Sequence, residues 1–376
     1  MPSQVQKTTV LHLASGSGPI ARTILSTPLR DASPTEIPII DLSALSNPNS
    51  TLPDRKAIAS QIRAAATTNG FFYIKNHGVT QSLISSAHSA SLDFFRQPPE
   101  LKELANSIHS AANTHMVGWH PPKTQKVNPF EGIDKRESFS FHYDPARDPD
   151  AVLPVPPKIK EGIRVDSDGF PFSRTDATVP QLREGLIPLY QEVLRLGRKL
   201  VKCFALALGL DESGFDAKFS YPDAALAINY YPPLEHSAHA EPKDVSVGSH
   251  TDFQLFTVLL QDDNGGLEVL TRDGQWLRAP PVEGTFVVNF ADYMQRITND
   301  KWVSTVHRVR NVSGNERVSI ALFFGFNRDE SCGVLESCLE DGEEQKYDEI
   351  SCREWVERRI KNMNIEIEGE GPKDIV

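Results

Sequence analysis

Residues 248–261 read GSHTDFQLFTVLLQ, and they place two polar residues in front of an apolar run. The run LFTVLL at 255–260 has the length and composition of a buried strand. His250 and Asp252 stand two positions apart just before it, so we expect them to share one face of that strand. Because an imidazole and a carboxylate are costly to bury alone, this pattern predicts that the pair binds a partner inside the protein.

A third residue of this kind lies in the segment 304–312, which reads STVHRVRNV. Alternation along a strand puts His307 and Val309 on one face and two arginines on the other, so we expect His307 to point inward. A lone inward histidine is most often a hydrogen-bonded core residue. Together with His250 and Asp252, however, it completes two imidazoles and one carboxylate, the donor set of non-haem iron(II) oxygenases.

The next segment, 317–326, reads RVSIALFFGF and has two distinct faces. We expect its wholly apolar face to pack against another layer; that face consists of Val318, Ile320, Leu322, Phe324 and Phe326. The other face carries Arg317, Ser319 and Phe323. Arg317 could be an ordinary surface charge, but Phe323 on the same face is awkward in open solvent. A guanidinium beside a hydroxyl suits a carboxylate, which predicts a carboxylate-bearing small molecule near the metal.

The composition of the 376-residue chain narrows the functional classes. Its formal net charge is −11, which argues against nucleic acid or an acidic membrane surface as a partner. No window of about 18 apolar residues and no secretory signal is present, so we expect a cytoplasmic protein without membrane spans. The four cysteines form no C-x-x-C pair, and we expect them to be reduced thiols.

The order of predicted elements changes along the chain. Periodic apolar residues predict helices at 54–70, 80–97 and about 178–209, and a further helix near 351–363. After about residue 224, short strands alternate with turn signals, which is typical of a β-sandwich or barrel. We therefore expect a helical first half and an all-β second half that share one core.

The motifs HTD (250–252), HRV (307–309) and RVS (317–319), in this order, resemble those of a known enzyme family. With the flanking INYYPP at 228–233, they resemble the iron(II)/2-oxoglutarate-dependent dioxygenases of the isopenicillin N synthase-like family. The resemblance covers about residues 37–330. One departure is Ala291, where the family usually has glycine before the aspartate; we expect Asp292 to be a helix cap or turn residue, not a ligand.

The resemblance implies a mainly β fold with flanking helices, a double-stranded β-helix or jelly-roll barrel. On that basis we divide the chain into a flexible N-terminal arm (1–36), an α-rich N-terminal region (37–210), a jelly-roll core (224–330) and a C-terminal helical extension (331–376). It also implies that Fe(II) is bound by His250, Asp252 and His307. The distal carboxylate of 2-oxoglutarate would be bound by Arg317, Ser319 and Tyr231. Dioxygen would be the other cosubstrate, with ascorbate as an optional reductant.

The implied function is oxidation of a small, largely apolar metabolite, coupled to oxidative decarboxylation of 2-oxoglutarate. Hydroxylation, desaturation and ring formation or rearrangement all remain open, and natural-product biosynthesis is the expected setting. By their positions in the family, four phenylalanines are candidate substrate residues: Phe139, Phe141, Phe323 and Phe253. The alternative is that they belong to the core, because buried phenylalanine is common. We expect a monomer.

Three other functions are consistent with parts of the sequence. His236 and His239 could join His250 in a zinc site of a hydrolase or a simple metal-binding protein. The barrel could also be a non-catalytic binding module. Finally, the enzyme could oxidise its substrate at iron without 2-oxoglutarate, as some members of this branch do.

Overall fold

The computed structural model of the chain describes residues 7–109, 117–162, 169–233 and 245–363. The elements of the first part are β1 (Thr8–Ser15), β2 (Gly18–Leu25), β3 (Arg30–Asp31), β4 (Ile39–Asp41), α1 (Ser43–Ser46), α2 (Leu52–Thr68), β5 (Phe71–Lys75), α3 (Gln81–Phe95), α4 (Pro99–Glu103), β6 (Gly118–His120), β7 (Glu137–His142), α5 (Pro157–Gly162), α6 (Phe172–Thr175) and α7 (Pro180–Ala207). The second part contains β8 (Pro222–Tyr231), β9 (Val247–His250), β10 (Phe256–Gln261), β11 (Leu267–Leu270), β12 (Trp276–Arg278), β13 (Thr285–Phe290), α8 (Asp292–Ile297), β14 (His307–Val309), β15 (Arg317–Asn327), β16 (Ser331–Cys332), β17 (Ile350–Ser351) and α9 (Cys352–Met363). The predicted long helices and the later strands are present, with ends that differ by a few residues.

Two β-sheets enclose the interior of the protein. The large sheet has eight strands in the order β4-β5-β13-β10-β15-β8-β7-β6, and the small sheet has five in the order β3-β12-β11-β14-β9. Phe71 and Val287 of the large sheet share a buried apolar cluster with Leu267 and Val269 of the small sheet. The two sheets therefore pack face to face, which is the arrangement that a jelly roll requires.

The long helices cover the outer face of the large sheet. The predicted apolar face of β15 packs there, in one cluster with the buried side chains of α2, α3 and α7. At Gly197 of α7, a Cβ atom would lie only 2.8 Å from the ring of Phe324, so the absence of a side chain lets the helix approach the strand closely. This layer leaves the opposite face of β15, with Arg317 and Ser319, directed to the interior.

Helix α2 begins earlier than the apolar periodicity predicted. Thr51 and Asp54 form a reciprocal capping box, in which the Thr51 side chain accepts from the Asp54 backbone and the Asp54 carboxylate accepts from the Thr51 backbone. Pro53 in the first turn adds a further start signal. The cap, not the first apolar residue, therefore sets the start of the helix at Leu52.

The prediction of a flexible arm over residues 1–36 is wrong for the residues from 8 onward. β1 and β2 pair as an antiparallel hairpin, and Leu11 and Leu13 are buried against Trp276 of the small sheet. The Ser- and Gly-rich turn between β1 and β2 is typical of a loose segment. The alternating leucines of β1, however, make it a half-buried strand. The division of the rest of the chain into three parts stays a prediction.

Candidate metal centre

Residues 248–261 are predicted to form one strand. In the structure they instead pass from the small sheet to the large sheet. His250 ends β9 in the small sheet, and β10 begins at Phe256 in the large sheet. Asp252 lies in the bend between them, which we call the HTD bend (residues 250–253). The single-strand prediction is wrong because an apolar run shows that a segment is buried, but does not show to which sheet it pairs.

The predicted triad comes together at this crossing. His307, the first residue of β14, is the direct cross-strand partner of His250. Asp252 Oδ1 lies 3.7 Å from His250 Nε2 and 3.8 Å from His307 Nε2. One potential ligand atom from each of the three residues lies within 4.8 Å of the others. This spacing allows a single metal ion to contact all three side chains.

Backbone carbonyls fix the orientation of both imidazoles. His250 Nδ1 lies 2.8 Å from the carbonyl of Gly248, and His307 Nδ1 lies 3.1 Å from that of Thr305. Since a carbonyl can only accept, each Nδ1 carries a proton, which leaves Nε2 as the ring nitrogen that can bind a metal. Burial lowers the pKa of His250 to about 3, with a further contribution from His307, so the ring is neutral at physiological pH.

Asp252 is held as a carboxylate with one oxygen directed to the imidazoles. Its Oδ2 accepts hydrogen bonds from Thr257 Oγ1 at 2.6 Å and Asn289 Nδ2 at 2.7 Å. Burial alone would raise its pKa, but the histidines and these two hydrogen bonds outweigh that effect and keep the pKa below its ordinary value. Thr257 and Asn289 are not among the site residues predicted from the sequence, although strand alternation puts both on the interior face.

The donor set fits iron(II). Two imidazoles and one carboxylate leave coordination positions open for other ligands. Among the residues that the structure describes, this is the only group of three or more His, Cys, Asp or Glu side chains with such spacing. His236 and His239, which the alternative zinc site would need, lie outside the described residues.

The side chain of Arg317 lies in the interior and leaves one N–H group available to bind an anion. Its side chain is fully buried, and its Nε donates to the carbonyl of Gly265 while Nη2 lies 3.4 Å from Gln261 Oε1. The guanidinium lies over the Tyr231 ring, with 4.7 Å from its carbon to the ring centroid. Its Nη1 is buried and has no hydrogen-bond partner in the described residues. An unpaired buried guanidinium N–H is costly, so a bound carboxylate fits this position.

Two hydroxyls are available beside Arg317. Tyr231 is its cross-strand partner on β8, and Ser319 follows two positions along β15 on the same face. Both residues are about 2% exposed. Either hydroxyl could donate a hydrogen bond to a carboxylate bound beside Arg317.

The prediction that Phe139 and Phe141 face the substrate is wrong. The two rings are 0% and 1% exposed, and they pack edge-on against the helix layer, Phe139 on Phe94 and Phe141 on Tyr190. They pair with residues of β8 that face the helices as well. The interior face of β7 carries Ser138, Ser140 and His142 instead. The alternative, that these phenylalanines belong to the core, is therefore correct.

The other two candidate substrate residues lie closer to the triad. Phe323 is partly exposed and pairs on the interior face with Thr257, which hydrogen-bonds Asp252. Phe253 directly follows Asp252 and is also partly exposed. Contact of either residue with a substrate stays a prediction.

None of the helices in the described ranges is both long and apolar enough to cross a membrane.

The sequence matches known proteins and family models that all describe non-haem iron oxygenases. A model of the 2OG-Fe(II) oxygenase superfamily matches residues 222–326, and a model of the N-terminal region of non-haem dioxygenases in morphine synthesis matches residues 37–159. The 2-oxoglutarate-Fe(II) type oxidoreductase ppzC of Metarhizium majus is 51% identical over 364 residues, which is 95% of each chain. The 2-oxoglutarate-dependent dioxygenase citB of Monascus ruber is 30% identical over 90% of this chain and 99% of its own.

Solved structures agree on the fold. A full-length protein of Neurospora crassa, crystallised in complex with alpha-KG, superposes with a TM-score of 0.71 at 24% identity, covering 89% of this chain and 99% of that one. At this identity, the likeness concerns the fold alone. Together with the two facing sheets, it confirms the predicted jelly roll with flanking helices.

Proposed function

The chain belongs to the 2-oxoglutarate–Fe(II) oxygenase superfamily, as an iron(II)- and 2-oxoglutarate-dependent dioxygenase of the isopenicillin N synthase-like family, and we propose that His250, Asp252 and His307 bind its iron. The observation that carries the proposal is the convergence of the three donor atoms to within 4.8 Å of one another. Both imidazoles direct Nε2 to this point, and Asp252 directs Oδ1. When bound, the iron supplies the chemistry that couples decarboxylation of the keto acid to oxidation of the substrate.

The distal carboxylate of 2-oxoglutarate binds to Arg317, Ser319 and Tyr231. The unpaired Arg317 Nη1 supports this assignment, because a carboxylate would complete its hydrogen bonds. Gly266 helps to orient the arginine: its backbone has φ +97°, and a Cβ there would lie 2.7 Å from the carbonyl of Arg310. Because Gly266 has no side chain, the backbone at 265–266 can lie close to that of Arg310. In this position the Gly265 carbonyl accepts a hydrogen bond from Arg317 Nε.

The substrate is a small metabolite, and natural-product biosynthesis is its proposed setting. In support, similar fungal proteins are named ppzC and citB, although neither name states a substrate. The interior wall joins the aromatic Phe323 to the polar face of β7 with its two serines. This wall supports a substrate with an apolar part beside hydrogen-bonding groups, which is more polar than the sequence predicted. The monomeric state and the cytoplasmic location remain predictions.

Anaerobic titration tests the assigned ligand set. Purified protein with Fe(II) and 2-oxoglutarate should develop the weak visible band of an iron–keto acid chelate, with one iron per chain. A His236→Ala/His239→Ala double variant should develop the same band, because neither residue belongs to the proposed triad. Loss of iron in that variant would favour the alternative three-histidine site. If the wild-type protein binds iron but shows no visible band with 2-oxoglutarate, the proposal that 2-oxoglutarate binds at this iron would be contradicted.

Substitution of two phenylalanines separates the pocket wall from the core. Phe323→Ala should raise the KM for a metabolite found by screening for succinate release, and it should leave the free energy of unfolding nearly unchanged. Phe139→Ala should instead lower the free energy of unfolding by about 3–5 kcal/mol, because it leaves a cavity beneath the helix layer. Urea unfolding and steady-state kinetics on both variants measure the contrast, and equal KM effects would contradict it.

A further inference from the structure

The C-terminal helix α9 contacts the backbone of the HTD bend on both sides of Asp252. Arg359 Nη2 donates to the carbonyl of Thr251 at 3.2 Å, and Trp355 Nε1 donates to that of Phe253 at 2.8 Å. Between them, the carbonyl of Asp252 accepts from the backbone N–H of Asp292 at 3.0 Å. Three consecutive carbonyls of the bend are therefore held from outside it, two of them by α9.

Arg359 is buried, and it contacts both this bend and the elements beside it. Its side chain is 2% exposed, and its Nε forms an ion pair of 2.9 Å with Asp292 Oδ2. Nη1 donates to the carbonyl of Ala14 in the β1–β2 hairpin at 2.7 Å, and the guanidinium lies 4.5 Å from the centre of the Phe253 ring. The planar guanidinium therefore joins the hairpin, α8 and α9 to the segment that carries Asp252.

Asp292 connects the same ion pair to the next part of the triad. Its carboxylate accepts from Thr251 Oγ1 at 3.2 Å and from Ser304 Oγ at 2.6 Å. Ser304 lies three residues before His307, and Asp292 is the first residue of α8, not its cap. Of the two roles expected for Asp292, cap or turn residue, the cap role is wrong, and the carboxylate joins the segments that precede two of the proposed ligands.

We propose that Arg359 is a positioning residue of the metal centre, which holds the HTD bend so that Asp252 Oδ1 faces the two Nε2 atoms. The proposal rests on the iron ligands proposed above. Arg359 does not touch the metal; it acts through the carbonyl of Thr251 and the carboxylate of Asp292. It also lies outside both family matches, at 37–159 and 222–326, so no matched motif predicts it.

Iron affinity of Arg359 variants tests the proposal. Arg359→Met should weaken Fe(II) binding by about 10–100-fold, the usual effect of removing a group that orients a metal ligand. Arg359→Lys keeps the charge but loses the planar fork, so its affinity should lie between those of Arg359→Met and wild type. The matched control is Arg358→Met, because Arg358 is 44% exposed and pairs with Glu354 on the other side of α9.

A second readout separates positioning from simple stabilisation. Co(II) substituted into the site should show a changed visible ligand-field spectrum in Arg359→Met and an unchanged one in Arg358→Met. Trp355→Phe removes only the N–H that binds Phe253 and keeps most of the ring packing, so it should weaken iron binding several-fold while the protein stays folded. If Arg359→Met does not fold, Trp355→Phe and Arg359→Lys still show whether α9 positions the metal ligands.

The outcomes distinguish this inference from the proposed ligand set. If Arg359→Lys and Trp355→Phe bind Fe(II) with wild-type affinity and give wild-type Co(II) spectra, the residue is only structural and the inference is overturned, even where the unfolding temperature falls. If the wild-type protein binds iron but His307→Ala binds it equally well, the ligand set itself fails. Wild-type binding that requires both His307 and Arg359 supports both proposals.

Discussion

Replacement of His307 by alanine is expected to abolish stoichiometric iron(II) binding. The change removes one of three donors, and a site with one imidazole and one carboxylate is too weak to hold a labile divalent ion through desalting. It also leaves Asp252 Oδ1 without its neighbour at 3.8 Å. The iron content per chain, measured after anaerobic loading and gel filtration, should fall from about one to the background level, with loss of 2-oxoglutarate turnover.

The fold of this variant should survive the substitution. The His307 ring contacts Phe71 edge-on, at 5.4 Å between centroids, and the His250 ring at 4.3 Å, but the strand pairing of β14 does not depend on the side chain. His77→Ala is the matched control, because His77 is also 8% exposed but stacks on Phe286 outside the triad. A His307→Ala protein that retains one iron per chain, with an unchanged circular dichroism spectrum, would refute the ligand assignment.

The ligand residues were accessible to sequence reasoning because strand alternation is a local property. His250, His307 and Arg317 each stand at an inward position that the neighbouring apolar or charged residues reveal. The spacing of the three motifs then added the family resemblance. Neither signal contains the path of the chain between sheets, so both predict one continuous strand where the chain forms the HTD bend.

The error at β7 has a related physical cause. A strand buried on both faces gives no contrast between inside and outside, so only position in the family places Phe139 and Phe141 near the substrate. In this fold the helix layer buries the phenylalanines, and the serine face lines the interior. Only the cross-strand register with β8 decides between the two faces, and that register is a tertiary property.

The residues that support the triad depend even more on tertiary structure. Thr257 and Asn289 belong to neighbouring strands, and Arg359 follows Asp252 by more than a hundred residues in the chain. A buried arginine on an amphipathic helix is not distinguishable in sequence from one of its exposed neighbours, such as Arg358. Its role is visible only once α9 is placed against the bend.

Loss of the Arg317 side chain is expected to weaken 2-oxoglutarate binding more than any other single change outside the triad. In Arg317→Ala the distal carboxylate would lose its charge-assisted hydrogen bonds in a site that is closed to water. Truncation of one partner of such a buried pair costs about 2–5 kcal/mol, which corresponds to an increase of roughly 30- to 5,000-fold in the apparent Kd. Arg317→Lys should lie between Arg317→Ala and wild type, because an ammonium group keeps the charge but not the bidentate geometry.

Titration of the visible band with 2-oxoglutarate, at saturating Fe(II) under anaerobic conditions, measures this effect without a substrate. Iron content should stay at one per chain in Arg317→Ala, since the arginine is not a metal ligand, and this separates the prediction from that for His307. Arg308→Met is the matched control: Arg308 is 14% exposed and is paired with Glu268 at 2.7 Å, but it lies on the opposite face of the small sheet from His307. An unchanged keto acid affinity in Arg317→Ala would mean that the unpaired Nη1 serves another ligand, and the carboxylate assignment would have to be withdrawn.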